Sequence, residues 1–276
     1  MKQNNWFDPF FILENLSPEE KLIQKNVKDF SNSVLRPTVV AHNRDHKFDR
    51  DLYKEFGRLG LLGSTVKNHG GAGASSVAYG LIAYEIEKID SSYRSSISVQ
   101  SSLVIHPIDS FGSDEQKERY LPELISGMKI GCFGLTESEA GSDPSSMKTT
   151  YKKNQNGYIL NGSKNWITNA PIADVFIIWA LNEKLENDSI KGFIIEKGTK
   201  GLTTSTIENK TSLKISPTGQ IIMQDVSIDK SNCLENTKGW SSVFSCLNKA
   251  RFGISWGVLG AASECWLIAK DYVENR

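Results

Sequence analysis

Residues 132–147 read CFGLTESEAGSDPSSM. Phe133 and Leu135 make a short apolar start of strand type, which runs through Thr136 and Glu137 into a loop of small and polar residues. Gly134 and Gly141 carry no Cβ, so backbone there can approach a ligand closely. Thr136, Ser142 and the loop N–H groups can donate hydrogen bonds to carbonyl or phosphate oxygens. A strand followed by a Ser/Gly turn is the plainer account of the same letters, and this stretch alone does not choose between the two.

Residues 161–171, NGSKNWITNAP, follow shortly after. Asn161-Gly162 is a type I′ turn signal between the apolar runs 158–160 and 166–168. By period two, Trp166 and Thr168 share one face of the returning strand and Ile167 takes the other. An indole beside a hydroxyl suits a flat, polar-edged ring, although an ordinary core Trp in a hairpin has the same pattern.

On either side the periodicity changes. Residues 131–135, 148–153, 158–166, 175–181, 192–196, 202–207 and 221–228 are short alternating or apolar runs. They are punctuated by Asn156-Gly157, Asn161-Gly162, Asn187-Asp188 and Pro217-Thr218-Gly219, which predicts a small antiparallel β-barrel or sandwich. Upstream, residues 1–130 read as all-helical. Ser17, Pro18 and Glu20 start a helix with a capping box. Ile23, Val27, Phe30 and Val34 give it a core-facing stripe, and Pro37 ends or kinks it. Further helices are expected over 51–59, 75–88, 91–104 and 113–125. The glycine-rich stretch 69–74 (HGGAGA) has no strand before it and reads as a connecting loop rather than a phosphate cradle. After Gly239 the helical period returns and runs to Arg276, with Gly253 and Gly257 as candidate break points. The fold class expected is therefore α+β and multi-domain. A helical domain (1–130) precedes a β-domain (131–235) and the start of a helical bundle (236–276). A lone helix cannot bury the stripe of Phe244, Leu247, Ile254, Leu259 and Leu267, so the bundle is expected to be truncated.

With 276 residues and 39% hydrophobic content, the chain can build a sizeable core. Lys+Arg and Asp+Glu balance at 32 each, which gives no electrostatic case for nucleic acid or an anionic membrane. Cys132, Cys233, Cys246 and Cys265 form no CxxC pair, which suits a reducing compartment. The four histidines lack metal-ligand spacing. No membrane span and no signal peptide is read, so the expected location is cytoplasmic.

Arg94 stands in a run of small residues, Ser91, Ser92, Ser95 and Ser96. That leaves room for a ligand, and a guanidinium suits bidentate pairing with a carboxylate. The usual fate of a helix Arg is an ordinary salt bridge.

FGLTESEAGSDPSSM, NGSKNWITNAP and RFGISWGVLGAA (251–262) together resemble the acyl-CoA dehydrogenase family of flavoproteins. The likeness extends to its glutaryl-CoA dehydrogenase subgroup through SVAYG (76–80), DSSYRS (90–95), SVQSS (98–102) and CLNKAR (246–251). The resemblance implies FAD as cofactor, held by Phe133, Gly134, Leu135, Thr136, Gly141, Ser142, Trp166, Ile167 and Thr168. Arg276 would reach the FAD of a neighbouring subunit, unless it is simply a solvated charge. It implies an acyl-CoA substrate met by Arg94, Ser95, Ser142, Phe244, Leu247, Asn248 and Arg251, with Arg94 on the free carboxylate of glutaryl-CoA. The implied reaction is oxidative decarboxylation to crotonyl-CoA and CO2. An electron-transfer flavoprotein is the implied electron acceptor, and a homotetramer the implied assembly. The family's catalytic base falls beyond Arg276, so no catalytic residue is assigned in this chain, and Glu137 is expected to orient backbone. A different short-chain acyl-CoA, or an inactive flavin-free fragment, are the alternatives.

Overall fold

A computed structural model describes Asp8, residues 10–184 and residues 190–276; the Asn187-Asp188 turn lies outside the described residues. The chain begins with helices: α1 (Pro18–Phe30), α2 (Val39–Asp45), α3 (Leu52–Arg58), α4 (Ser76–Glu87), α5 (Ser91–Ser98), α6 (His106–Phe111) and α7 (Asp114–Ile125). The capping box of α1 is present, with Ser17 Oγ accepting from Glu20 N at 3.2 Å and Glu20 Oε2 accepting from Ser17 N at 2.9 Å.

The predicted stripe of α1 is met at Val27 and Phe30 but not at Val34, which is 39% exposed while Leu35 is fully buried. The cause is a π-helical turn at Ser31–Leu35. It inserts one extra residue, so the core position passes from 34 to 35. A second π turn, Val99–Ile105, continues α5.

Seven strands follow: β1 (Gly131–Gly134), β2 (Thr150–Lys153), β3 (Gly157–Thr168), β4 (Val175–Asn182), β5 (Lys191–Glu196), β6 (Leu202–Thr206) and β7 (Thr218–Asp229). Their order is β1-β4-β2-β3-β7-β6, with β5 on the other side of β4. The expected β-domain is there, but the sheet is mixed rather than antiparallel, because β1 and β2 both run parallel to β4. They lie end to end along one edge of β4, Gly134 opposite Ile178 and Thr150 opposite Leu181. Residues 135–149 are thus an excursion that leaves that edge and returns to it. β4 is apolar on both faces. Val175, Ile177 and Trp179 pack toward the helices, whereas Phe176, Ile178 and Ala180 pack into the curl of the sheet. A strand covered on both sides reads as a continuous apolar run.

Asn161-Gly162 makes no hairpin. β3 continues through it, and the register against β7 shifts between Leu160 and Gly162. Gly162 lies at φ 141° with Thr149 Oγ1 2.5 Å from where a Cβ would stand. The turn signal belongs instead to a bulge, in which Asn161 exchanges hydrogen bonds with Asp225.

The chain closes with one unbroken helix, α8 (Trp240–Glu274). Gly253 and Gly257 do not break it. With Gly260 they let α8 approach the rest of the helical domain: Cβ atoms there would lie 2.7 Å from Tyr79 Oη, 1.9 Å from Glu87 Oε2 and 2.1 Å from Tyr84 O. The outer stripe, including Ile254, Leu259 and Ile268, is exposed. Against expectation, α8 is long and apolar enough to cross a membrane by length and composition. Its glycine face nevertheless has a protein partner in α4.

Candidate active site

The 135–149 excursion is held by one ion pair. Lys164 on β3 is fully buried. Its Nζ lies 2.8 Å from Glu137 Oε1 and 3.1 Å from the Leu135 carbonyl, with Met147 Sδ at 3.7 Å. Glu137 also accepts from Lys148 N (2.6 Å) and Thr149 N (3.0 Å). Burial lowers the Lys164 pKa to about 8, although Glu137 works the other way. Burial pushes Glu137 up, but the charge of Lys164 and the hydrogen bonds from Lys164, Thr149 and Lys148 hold it below the usual carboxylate value. Glu137 therefore orients backbone, as expected, and every bond it makes is internal.

Gly134 is closely packed against the sheet. A Cβ there would meet Ile178 Cδ1 at 2.5 Å and Lys164 Cγ at 3.1 Å, so its bareness makes room for Ile178 and, beside it, the lysine stem. At Gly141 nothing lies within 4 Å of a Cβ, and Gly141 and Ser142 are exposed at the tip of the excursion. Phe133 and Leu135 are buried, with Phe133 against Trp179 at 6.2 Å between ring centroids. Thr136 is half-buried.

β3 meets this loop directly: Asn165 N donates to Thr136 O at 2.9 Å, and Asn165 Nδ2 to Ser138 Oγ at 3.3 Å. A second register shift falls between Lys164 and Ile167. It reverses the strand's parity, so Lys164 points in while Trp166 points out. Trp166 is 59% exposed and sits at φ 60°, a left-handed conformation that a bulky residue rarely adopts. Ile167 is buried and Thr168 half-buried on the alternate face. The loop and the Trp166 strand thus come together, presenting an indole beside hydroxyls.

Arg94 lies elsewhere in the contact network. Its side chain is buried, Nε 2.5 Å and Nη2 3.4 Å from the carboxylate of Glu87, and Gly257 of α8 leaves the space the pair occupies. The expectation is a guanidinium available to a ligand; it is instead committed to a buried carboxylate, and no described contact joins it to the 135–149 loop. Ser95 beside it is half-buried. Phe244 is exposed and tilted against Trp240. Leu247 packs on the helical core. Asn248 Oδ1 accepts from Arg251 Nη1 at 2.9 Å, both exposed. Arg276 lies exposed over the Tyr272 ring, 5.5 Å from its centroid.

Two residues escape a sequence reading. Glu87 has a signal, a carboxylate closing a helix that is apolar nearly all round (Leu81, Ile82, Ala83, Ile86). Lys164 has the alternation of Tyr158 and Leu160, which assigns it to the buried face only once the strand is known to run on through Asn161-Gly162.

The chain matches the acyl-CoA dehydrogenase N-terminal domain over residues 17–128 and the acyl-CoA dehydrogenase middle domain over residues 132–226. It is 36% identical to an acyl-CoA dehydrogenase of Bacillus subtilis, over 95% of this chain and 70% of that protein. The structure of a glutaryl-CoA dehydrogenase from Mycobacterium smegmatis in complex with FADH2 superposes with a TM-score of 0.94 at 40% identity, over 97% of this chain and 68% of that one. Butyryl-CoA dehydrogenase from Megasphaera elsdenii gives 0.90 at 35%, over 95% and 70%. The chain belongs to the acyl-CoA dehydrogenase family.

Proposed function

We propose that the chain is the FAD-binding and acyl-CoA-binding part of an acyl-CoA dehydrogenase whose substrate is glutaryl-CoA. The observation that carries the flavin assignment is the exposed indole of Trp166 at φ 60°, next to Asn165, whose N–H binds Thr136 O of the loop. A large ring left in solvent at a strained backbone position is what a stacking platform requires. The residues fit the group: an aromatic face, the half-buried hydroxyls of Thr136 and Thr168, and the open tip at Gly141 and Ser142. When bound, FAD would supply the two-electron acceptor for dehydrogenation of the acyl thioester. Trp166 and Thr168 would flank the ring with Ile167 behind them. Thr136 and the loop N–H groups would donate to its polar edge, where negative charge on reduction is then better tolerated. Ser142 lies where the loop would meet pyrophosphate or substrate. Phe244, Leu247, Asn248 and Arg251 lie along one end of α8 and would line the acyl-CoA channel, and Arg276 would reach a neighbouring subunit's cofactor. A cytoplasmic homotetramer passing electrons to an electron-transfer flavoprotein completes the proposal.

Support for glutaryl-CoA comes from the 40% identity to the Mycobacterium smegmatis glutaryl-CoA dehydrogenase; Arg94 itself is paired with Glu87. A dicarboxylic acyl chain would share Arg94 with Glu87, which is already charge-neutral as a pair. That same neutrality favours a second reading, a monocarboxylic short-chain substrate that needs no free cation. Because Arg94→Ala alone strands a buried Glu87 carboxylate, the test is made in a Glu87→Gln background. Binding of glutaryl-CoA and butyryl-CoA is compared by calorimetry. Adding Arg94→Ala is expected to weaken glutaryl-CoA roughly 10- to 100-fold, the range for a charge-assisted hydrogen bond, and to leave butyryl-CoA unchanged. Equal loss on both rejects the glutaryl reading.

A further inference from the structure

We propose that Lys164 is a positioning residue, an ion-paired post that fixes the 135–149 excursion in its ring-receiving shape before any flavin arrives; this rests on the flavin reading of that loop. The argument starts at the sheet edge. β1 leaves β4 after Gly134 and β2 rejoins it at Thr150. Between them Thr136 O accepts from Asn165 N, Thr149 O from Leu181 N, and Glu137 pairs with Ala140, but Leu135 O, Lys148 N and Thr149 N turn to side chains. A buried polar group left unpaired costs about 1–3 kcal/mol. Two side chains meet this need. Lys164 Nζ donates to the Leu135 carbonyl at the loop's start and lies beside Met147 near its end. Glu137, bound to that same ammonium, accepts from Lys148 N and Thr149 N. One buried charge thus ties the outgoing and the returning backbone to β3.

A buried ion pair contributes little net stability compared with apolar packing of the same volume. What this one supplies is geometry. Lys164 keeps the inward parity of Tyr158 and Leu160, and the bulge that follows it turns Trp166 outward, so the post and the indole stand on opposite sides of one irregularity. Asn165 N, between them, holds Thr136 O at 2.9 Å. Gly134 leaves the stem its passage. Moving the ammonium would therefore loosen the loop against the strand that carries the indole, leaving it the bonds of Asn165 and Thr149.

The test uses the chain purified free of flavin. Amide exchange of Lys148 and Thr149 is measured first; protection without flavin is expected, and free exchange that ends only on adding FAD overturns the proposal. FAD affinity is then compared between wild type and the double variant Lys164→Met, Glu137→Gln. That variant removes both charges, so neither is stranded, and the carboxamide oxygen introduced by Glu137→Gln can still accept from one of the two amides, Lys148 N or Thr149 N, which Glu137 meets with different oxygens. It is expected to keep the wild-type far-UV circular dichroism yet bind FAD at least tenfold more weakly. A smaller loss overturns the proposal. The exchange result on wild type decides the matter if the double variant does not fold. Protected amides in a wild-type chain that binds no FAD would count against the flavin reading and not against the post.

Discussion

Glu137 sits in the middle of the loop that would meet a flavin, yet it bonds only to Lys164 and to backbone N–H groups. That makes it a stability residue with a definite pH signature. Its pKa is held below the ordinary value of 4.5. A depressed carboxylate contributes stability that is complete above its unfolded pKa and is lost as pH falls through the folded one. The contribution should therefore fade below about pH 4.5. Urea unfolding at a series of pH values is expected to show a shallower acid-side slope for Glu137→Gln than for wild type; identical slopes would show that the pair does not titrate as described. Residue identities made the loop legible before the structure did, because Thr136, Glu137, Gly141 and Ser142 lie close in sequence. Arg94 was only half legible. Its small neighbours spoke for room, but the carboxylate that fills its fork sits one helix away, and sequence spacing says nothing about pairs between helices.

At the scale of elements, the two misread registers have one cause: a single inserted residue. The π turn at Ser31–Leu35 moves the core position of the first helix from Val34 to Leu35. Leu35→Ala is expected to cost about 2–5 kcal/mol in urea unfolding, and Val34→Ala within about 0.5 kcal/mol; comparable losses would mean that the turn is not formed. Inserted residues do the same to strands: the one at Leu160/Gly162 lies on β7 and lets β3 run on through the expected hairpin corner, and the one at Lys164/Ile167 lies on β3 and flips Lys164 against Trp166. Periodicity locates elements well but is blind to one-residue insertions, since each shifts the phase without changing composition. A further element-scale contact joins α6 to α8, where His106 Nε2 lies 3.0 Å from Ser245 Oγ. Burial, and secondarily the charge of Lys249, lower His106 from 6.5 to about 4. Between those values the unfolded chain binds more protons than the folded one, so stability falls as pH drops from 6.5 toward 4, by at most about 3 kcal/mol. His106→Gln should flatten that stretch of the stability profile; a profile unchanged by the substitution would place the acid sensitivity elsewhere.

For the whole molecule, the order of helical domain, sheet and long helix was plain from the change in period at residue 131 and its return after 239. Strand direction was not, because β1 and β4 are far apart in sequence and turn residues report only on adjacent strands. The resulting mixed sheet is what places the excursion: two parallel strands share one edge of β4, and the loop between them leaves that edge to meet β3 at Asn165, next to Trp166. The central claim is that this arrangement receives an isoalloxazine. Titration of the chain with FAD, followed by quenching of flavin fluorescence, tests it most directly when run beside Trp166→Ala. Saturable, quenched binding by wild type that weakens about tenfold or more in Trp166→Ala is the predicted result, since stacking on an aromatic face is worth about 0.5–1.5 kcal/mol beyond the burial it brings. No binding by wild type, or equal binding by both, would contradict it.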